Sequence, residues 1–162
     1  MRMSQRDFAL KQRGGQGAVQ YAQQIRSSPG KRNGLYWKAE ADEEQSLLGL
    51  SVAKAHWEGS EGKANRSESQ QGARPFHGYF FKILTQQGKY AADGRSDYLH
   101  KGRMVAGFAY LAYPAHWGYS GVMTFIVNHE DKIYEKNLGP RTGRLAPRMA
   151  AYDPDDTWSP SE

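Results

Sequence analysis

The chain has 162 residues, a net charge of +5, 38% hydrophobic residues and no cysteine. That length is enough to bury a core without cross-links, and the missing cysteine excludes disulfides and thiolate metal sites. No apolar run approaches the ~18 residues of a membrane-spanning helix, and the opening MRMSQRDFALKQR lacks the apolar centre of an export signal, so the chain reads as one soluble domain over 1–162.

Charge is uneven along the chain. Residues 1–38 carry Arg2, Arg6, Lys11, Arg13, Arg26, Lys31, Arg32 and Lys38 against the single acid Asp7, and Glu40, Asp42, Glu43 and Glu44 follow at once. Such a segment suits phosphate, anionic lipid or an acidic protein surface, although its cations form no dense run and also fit a solvated helix and loop.

In chain order, the pattern predicts a basic helical segment over 7–27, broken at Gly14-Gly15-Gln16-Gly17, with Ala18, Val19, Tyr21, Ala22 and Ile25 as its apolar positions after the break. Ser28-Pro29-Gly30 ends it, and Lys31-Arg32-Asn33-Gly34 makes a turn before Leu35-Tyr36-Trp37. A second helix is expected from Ser46, as cap, to Trp57, with Leu47, Leu50, Val52, Ala53 and Trp57 on one side. Residues 59–74 are polar and read as a mobile loop.

From Pro75 the period becomes two. Strands are expected at 79–84, 96–100, 103–113, 121–128 and 132–136, a sheet over 76–137, with hairpin turns at Lys101-Gly102 and His129-Glu130-Asp131. In the strand 121–128, Met123, Phe125 and Val127 should share one face, and Val122, Thr124 and Ile126 the other. A helix near 142–152 turns Leu145, Met149 and Tyr152 inward and opens a C-terminal tail, 142–162. The class is α+β: N-terminal helices, then a four- to five-stranded antiparallel meander.

No motif supplies a complete catalytic template. Ser120 in Gly118-Tyr119-Ser120-Gly121 lacks nucleophile-elbow spacing and precedes a strand instead of following one. The five histidines, His56, His77, His100, His116 and His129, are scattered without metal-ligand spacing. Asp97 near His100, and Glu130 and Asp131 beside His129, have the chemistry of acid and base, but they are also the ordinary content of exposed turns. Arg13-Gly14-Gly15-Gln16-Gly17 matches neither Gly-rich phosphate motif. No cofactor and no specific nucleic acid are expected: the sheet aromatics Phe80, Tyr98, Phe108, Tyr110 and Phe125 read as packing, with Lys82, Lys132 and Lys136 the few cations on an exposed face.

The stretches SSPGKRNGLYWKA, PFHGYFFKILTQQG, GRMVAGFAYLAYPAHWGYSGVMTFIVNHEDKIYEKNLGPRTG and YDPDDTWSP resemble the bacterial family catalogued as domain of unknown function 2950, from about Phe8 to the C-terminus. The resemblance implies an exported, periplasmic or other envelope protein with no assigned catalytic residues. Relatives usually add an export signal and an upstream region, which this sequence lacks. They also carry an Asp- and Gly-rich, calcium-suited stretch where this chain has Lys11-Gln12-Arg13-Gly14-Gly15-Gln16-Gly17 with no carboxylate. In their last hairpin they commonly have Asp-Gly where this chain has Glu130-Asp131, which should lengthen the loop. The layout is also similar to the globular heads of pilin-like proteins.

Three functions follow as expectations. The first is a non-catalytic envelope module that meets an envelope protein or polymer, with Tyr113, His116, Trp117 and Tyr119 as contact candidates. The second is a hydrolase of an envelope polymer drawing on His77, His100, His116, Asp97 or Glu130. The third is binding of an anionic polymer through the basic N-terminal segment.

Overall fold

The computed structural model describes residues 2–11, 19–39, 44–49 and 74–161. Helix α1, Arg2–Leu10, buries Ser4, Gln5, Phe8 and Ala9, four positions of one helical face. Among the described residues ten short strands follow, and a four-residue helix, α2 (Thr142–Leu145), is set between two 3₁₀ turns.

The main sheet is antiparallel and has five strands, in the order β1 (Tyr79–Leu84), β6 (Ala109–Pro114), β7 (Met123–Asn128), β8 (Ile133–Asn137) and β10 (Ser159–Pro160). Alternation sets its faces. Lys82, Leu111, Ile126 and Tyr134 lie in one cross-strand row, and Phe81, Ala112, Phe125 and Glu135 in the next. The first row belongs to the core face, where Leu84, Leu111 and Ile126 are fully buried, whereas Phe81, Met123 and Phe125 on the other face are half-buried. Thr124 and Ile126 point inward together, as the period predicts.

Lys82 sits on the core face and not on an exposed one. Its Nζ donates to the carbonyls of Pro147 (2.8 Å) and Met149 (2.9 Å), satisfying acceptors that the C-terminal turns leave open. The closing YDPDDTWSP folds back on the sheet. Asp155 accepts from the amide and hydroxyl of Thr157, which holds its carboxyl below the ordinary range, and the turn places Trp158 in the core. Ser159 and Pro160 then pair with Glu135 and Tyr134 at the sheet edge, where a proline's missing N–H is tolerated.

Several expectations are corrected. The stretch predicted as strand 96–100 divides into β3 (Ser96–Asp97) and β4 (Leu99–His100), and neither joins the main sheet, so β1 pairs directly with β6. β3 pairs with β2 (Gln86–Gln87), which also pairs in parallel with β9 (Ala151–Tyr152). The 103–113 strand is interrupted after β5 (Arg103–Met104), where Gly107 has φ of +138° and breaks the pleat. The C-terminal helix is only the short α2 and its flanking turns; Pro140 and Pro147 limit it, Leu145 is exposed, and Tyr152 lies buried on β9.

The helical reading of 7–27 also fails at 19–27, while the predicted break at Gly14-Gly15-Gln16-Gly17 lies outside the described residues. Residues 19–27 are irregular, with isolated bridges at Tyr21 and Arg26, and their amides take tertiary partners: Tyr21 N–H donates to Met104 O (2.7 Å), Ala22 N–H to Gln5 Oε1 (2.7 Å) and Ser27 N–H to Tyr36 O (2.7 Å). Gln5 Nε2 donates in turn to Ala22 O (2.7 Å), so a buried side-chain amide does for Ala22 what a neighbouring strand would do. Nor does Ser46 cap a helix. Its hydroxyl donates to Leu48 O, Leu48 N–H goes to Leu35 O, and Ser46–Gly49 is irregular. Residues 50–57, with His56, and the predicted loop 59–74 apart from Arg74 lie outside the described residues.

Both hairpin turns are present. Lys101 (φ +50°) and Gly102 (φ +74°) form the two-residue primed turn between β4 and β5. At His129-Glu130-Asp131 the loop has three residues, Asp131 takes φ of +71°, and Asn128 Oδ1 accepts from the amides of Glu130 and Lys132.

Candidate functional site

The pairing of Tyr79 with Pro114 brings two turns to one end of the main sheet. In the first, Phe76 and Tyr79 exchange backbone hydrogen bonds across His77 (φ +48°) and Gly78 (φ +82°). In the second, Tyr119 and Ser120 N–H both donate to His116 O, and Gly118 N–H donates to Gly121 O. The turns abut: Ala115 N–H donates to Gly78 O (2.9 Å), and a side chain at Gly78 would meet Ser120 Cβ at 2.9 Å.

Within the second turn the Ser120 hydroxyl donates to His116 O (3.2 Å) and accepts from His116 N–H (3.0 Å). Both are backbone groups, so this serine is a turn clamp with no imidazole base on it. Trp117 Nε1 donates to Asn137 Oδ1 (2.8 Å), which ties the turn to the end of β8. Tyr119 is 92% exposed, Trp117 37% and Val122 42%. Of the contact candidates, His116, Trp117 and Tyr119 are on the surface; Tyr113 is 2% exposed, packs on Phe80 and belongs to the interior, where burial holds its phenol well above the usual range.

The acid and base candidates are not joined. Among the described residues, no hydrogen bond or ion pair links any two of the side chains of His77, His100, His116, Asp97 and Glu130. Asp97 accepts from Leu99 N–H (2.8 Å), and Glu130 accepts from Asn128 Nδ2 (3.4 Å). His129 departs from the expected exposed turn: its ring packs edge-on to Tyr98 (5.8 Å) and beside Phe108 (6.2 Å), in space that the absent side chain of Gly107 leaves open. Tyr98, buried and facing the charge of Glu130, has its phenol pushed up to about 12. The described residues contain no group of three or more metal-ligating side chains, and none of their helices is long and apolar enough to cross a membrane.

Sequence reasoning missed a second constellation. Residues 26–38 close on themselves around a cavity of about 480 Å³ lined by Arg26, Lys31, Arg32, Lys38, Tyr36 and Trp37 among others. The excess of positive charge in this stretch was visible in the sequence; its closure was not. Closure depends on Gly34, where any Cβ would meet the backbone of Arg26 and Ser27 at 2.7 Å, and on Asn33, whose amide clasps Ser28.

No curated protein and no solved structure matches the chain. A family model does, across residues 1–160. The chain belongs to the family described as "Protein of unknown function (DUF2950)".

Proposed function

We propose that the chain is a non-catalytic interaction module of the bacterial envelope that meets an envelope protein or polymer through the turn holding His116, Trp117 and Tyr119. The observation that carries this reading is the combination of exposure and rigidity: Tyr119 and Trp117 stand out from a turn fixed by its own backbone, by Ser120 and by Asn137. Large aromatics held in place lose little freedom on binding, which is why such residues dominate contact energies. Placement in the envelope comes from the family resemblance. The pilin-like arrangement enters only as layout, a helix ahead of an antiparallel sheet, and adds no ligand.

A photo-crosslinking residue at position 119 of the full-length native protein in cells tests this. A discrete adduct in the envelope fraction is expected, lost with Trp117→Ala and not formed when the crosslinker replaces Tyr90, another exposed tyrosine. No adduct from position 119, or the same adduct from position 90, overturns the proposal.

A further inference from the structure

We propose that the cavity closed by residues 26–38 is a binding site for a phosphate-type oxyanion carried on a small organic body, with a sugar phosphate as the simplest case. Four cationic side chains line it, and among the described residues Lys31 and Lys38 have no ion-pair partner. The described acid close to them is Glu44, which bonds Lys11 (2.8 Å) and stands 3.8 Å from Arg32. Several cations around one concavity raise the local potential and favour a multiply charged anion over a neutral guest.

The serines of the wall add direction. Ser28 Oγ accepts from Gln24 Nε2 and from Asn33 Nδ2, each at 3.3 Å, and the Asn33 amide is oriented because its Oδ1 accepts from Ser28 N–H (3.0 Å). Ser27 Oγ accepts from Gly34 N–H (2.9 Å). A hydroxyl has two acceptor sites and one proton. With both lone pairs of Ser28 engaged, its O–H is left to donate, and among the described residues neither serine hydroxyl has an acceptor. Cations and spare O–H donors on one wall match the several acceptor oxygens of a phosphate better than the two of a carboxylate.

Size and rigidity set the rest of the ligand. A cavity of about 480 Å³ lies within the small-molecule range and has room for more than a bare ion. The half-buried ring of Tyr36 gives an apolar wall, while the face of Trp37 already carries the Arg32 guanidinium at 5.5 Å. The loop is preorganised by fully buried Ile25 and Leu35 at its base, and by the Ser28–Lys31 turn with Gly30 at φ +72°. This site does not depend on the aromatic-turn reading, and either can fail alone.

Isothermal titration of the full chain with inorganic phosphate, glucose 6-phosphate, polyphosphate and glucose tests the site. Glucose 6-phosphate or polyphosphate is expected to bind more tightly than inorganic phosphate, more weakly as salt rises, with glucose silent; which of the two binds better tells a free ester from a polymer. Lys31→Ala with Lys38→Ala, both at exposed positions, should weaken binding about tenfold or more, and Ser28→Ala by a smaller factor, with circular dichroism unchanged. Lys101→Ala in the β4–β5 turn should leave binding alone. The proposal is overturned if no phosphate binds at millimolar concentration, if glucose binds as well as its phosphate, or if the double lysine variant binds like the parent chain.

Discussion

The sheet and the N-terminal segment are held by different physics. In the sheet, β1, β6, β7 and β8 repeat one interaction along continuous ladders, and in β7 the buried side chains are those that alternation puts inward. Around residues 19–39 the chain has one short set of backbone bonds, between 24–27 and 35–36, and otherwise isolated ties: the Gln5 amide on Ala22, the Tyr21 bond to Met104, the Asn33 clasp on Ser28. A ladder tolerates the loss of one member, whereas a one-point tie has no neighbour to share the load. The cavity region is therefore held by fewer bonds than the sheet, with buried Ile25 and Leu35 anchoring its base.

Alkali should act first and most strongly through buried phenols, of which Tyr110 and Tyr113 lie on β6 of the main sheet while Tyr98 and Tyr152 lie outside it. Burial pushes the phenols of Tyr98, Tyr110, Tyr113 and Tyr152 up, Tyr98 to about 12. An unfolded chain releases those protons near pH ~10 while the folded chain retains them, so stability is complete below that pH and is lost as pH rises through about 12. Tyrosinate absorbance and circular dichroism followed together should show ionisation of these phenols coinciding with unfolding; ionisation near the ordinary value with the sheet intact would contradict their burial. At neutral pH, Ile126→Ala at the fully buried centre of β7 should cost about 2–5 kcal/mol in denaturant unfolding.

Gln5→Ala probes the other region together with its tie to β6, because the Gln5 side chain also hydrogen-bonds Tyr110. It leaves the amide and carbonyl of Ala22 without their partner, about 1–3 kcal/mol for each buried group left unpaired. Hydrogen exchange should accelerate at Ala22 and Tyr21 by more than at the β6–β7 ladder. Equal acceleration in both places would mean that the two regions open as one unit, and the distinction drawn above would fall.

The same contrast accounts for what could be read from the sequence. Strand β1 follows its predicted bounds, and the inward pair Thr124 and Ile126 its predicted face, because a ladder imposes a period on side chains. The turn at Lys101-Gly102 is legible because positive φ selects residue type locally. Helix α1 hides its inward face because two of its four buried positions are Ser4 and Gln5, polar residues that count as exterior in any hydrophobic pattern. The irregular run through Tyr21, Ala22 and Ile25 passes for a helix since nothing local says that its amides are bound by residues 17 and 83 positions away. At the candidate sites, exposed Trp117 and Tyr119 stand in a Gly-rich turn that composition marks, whereas the cavity of residues 26–38 needs a backbone approach at Gly34 that no spacing rule announces.

The smallest effect expected is at Asp131, the residue that ends the β7–β8 loop in left-handed backbone at φ +71°. A glycine there adopts this conformation without a Cβ clash, and its greater freedom in the unfolded chain offsets part of the gain. Asp131→Gly also gives up the Arg6 contact at 3.9 Å, between side chains 58% and 43% exposed, which contributes little at such exposure. The balance favours stabilisation by about 0.5 kcal/mol, read as a small rise in denaturation midpoint with unchanged slope. Because Arg6 lies on α1 and Asp131 on the sheet hairpin, this substitution also measures how tightly the two regions are coupled. A destabilised variant would mean that the Arg6 contact, with its companion bond to His129 O (3.5 Å), holds the helix to the sheet more strongly than exposed charges normally do.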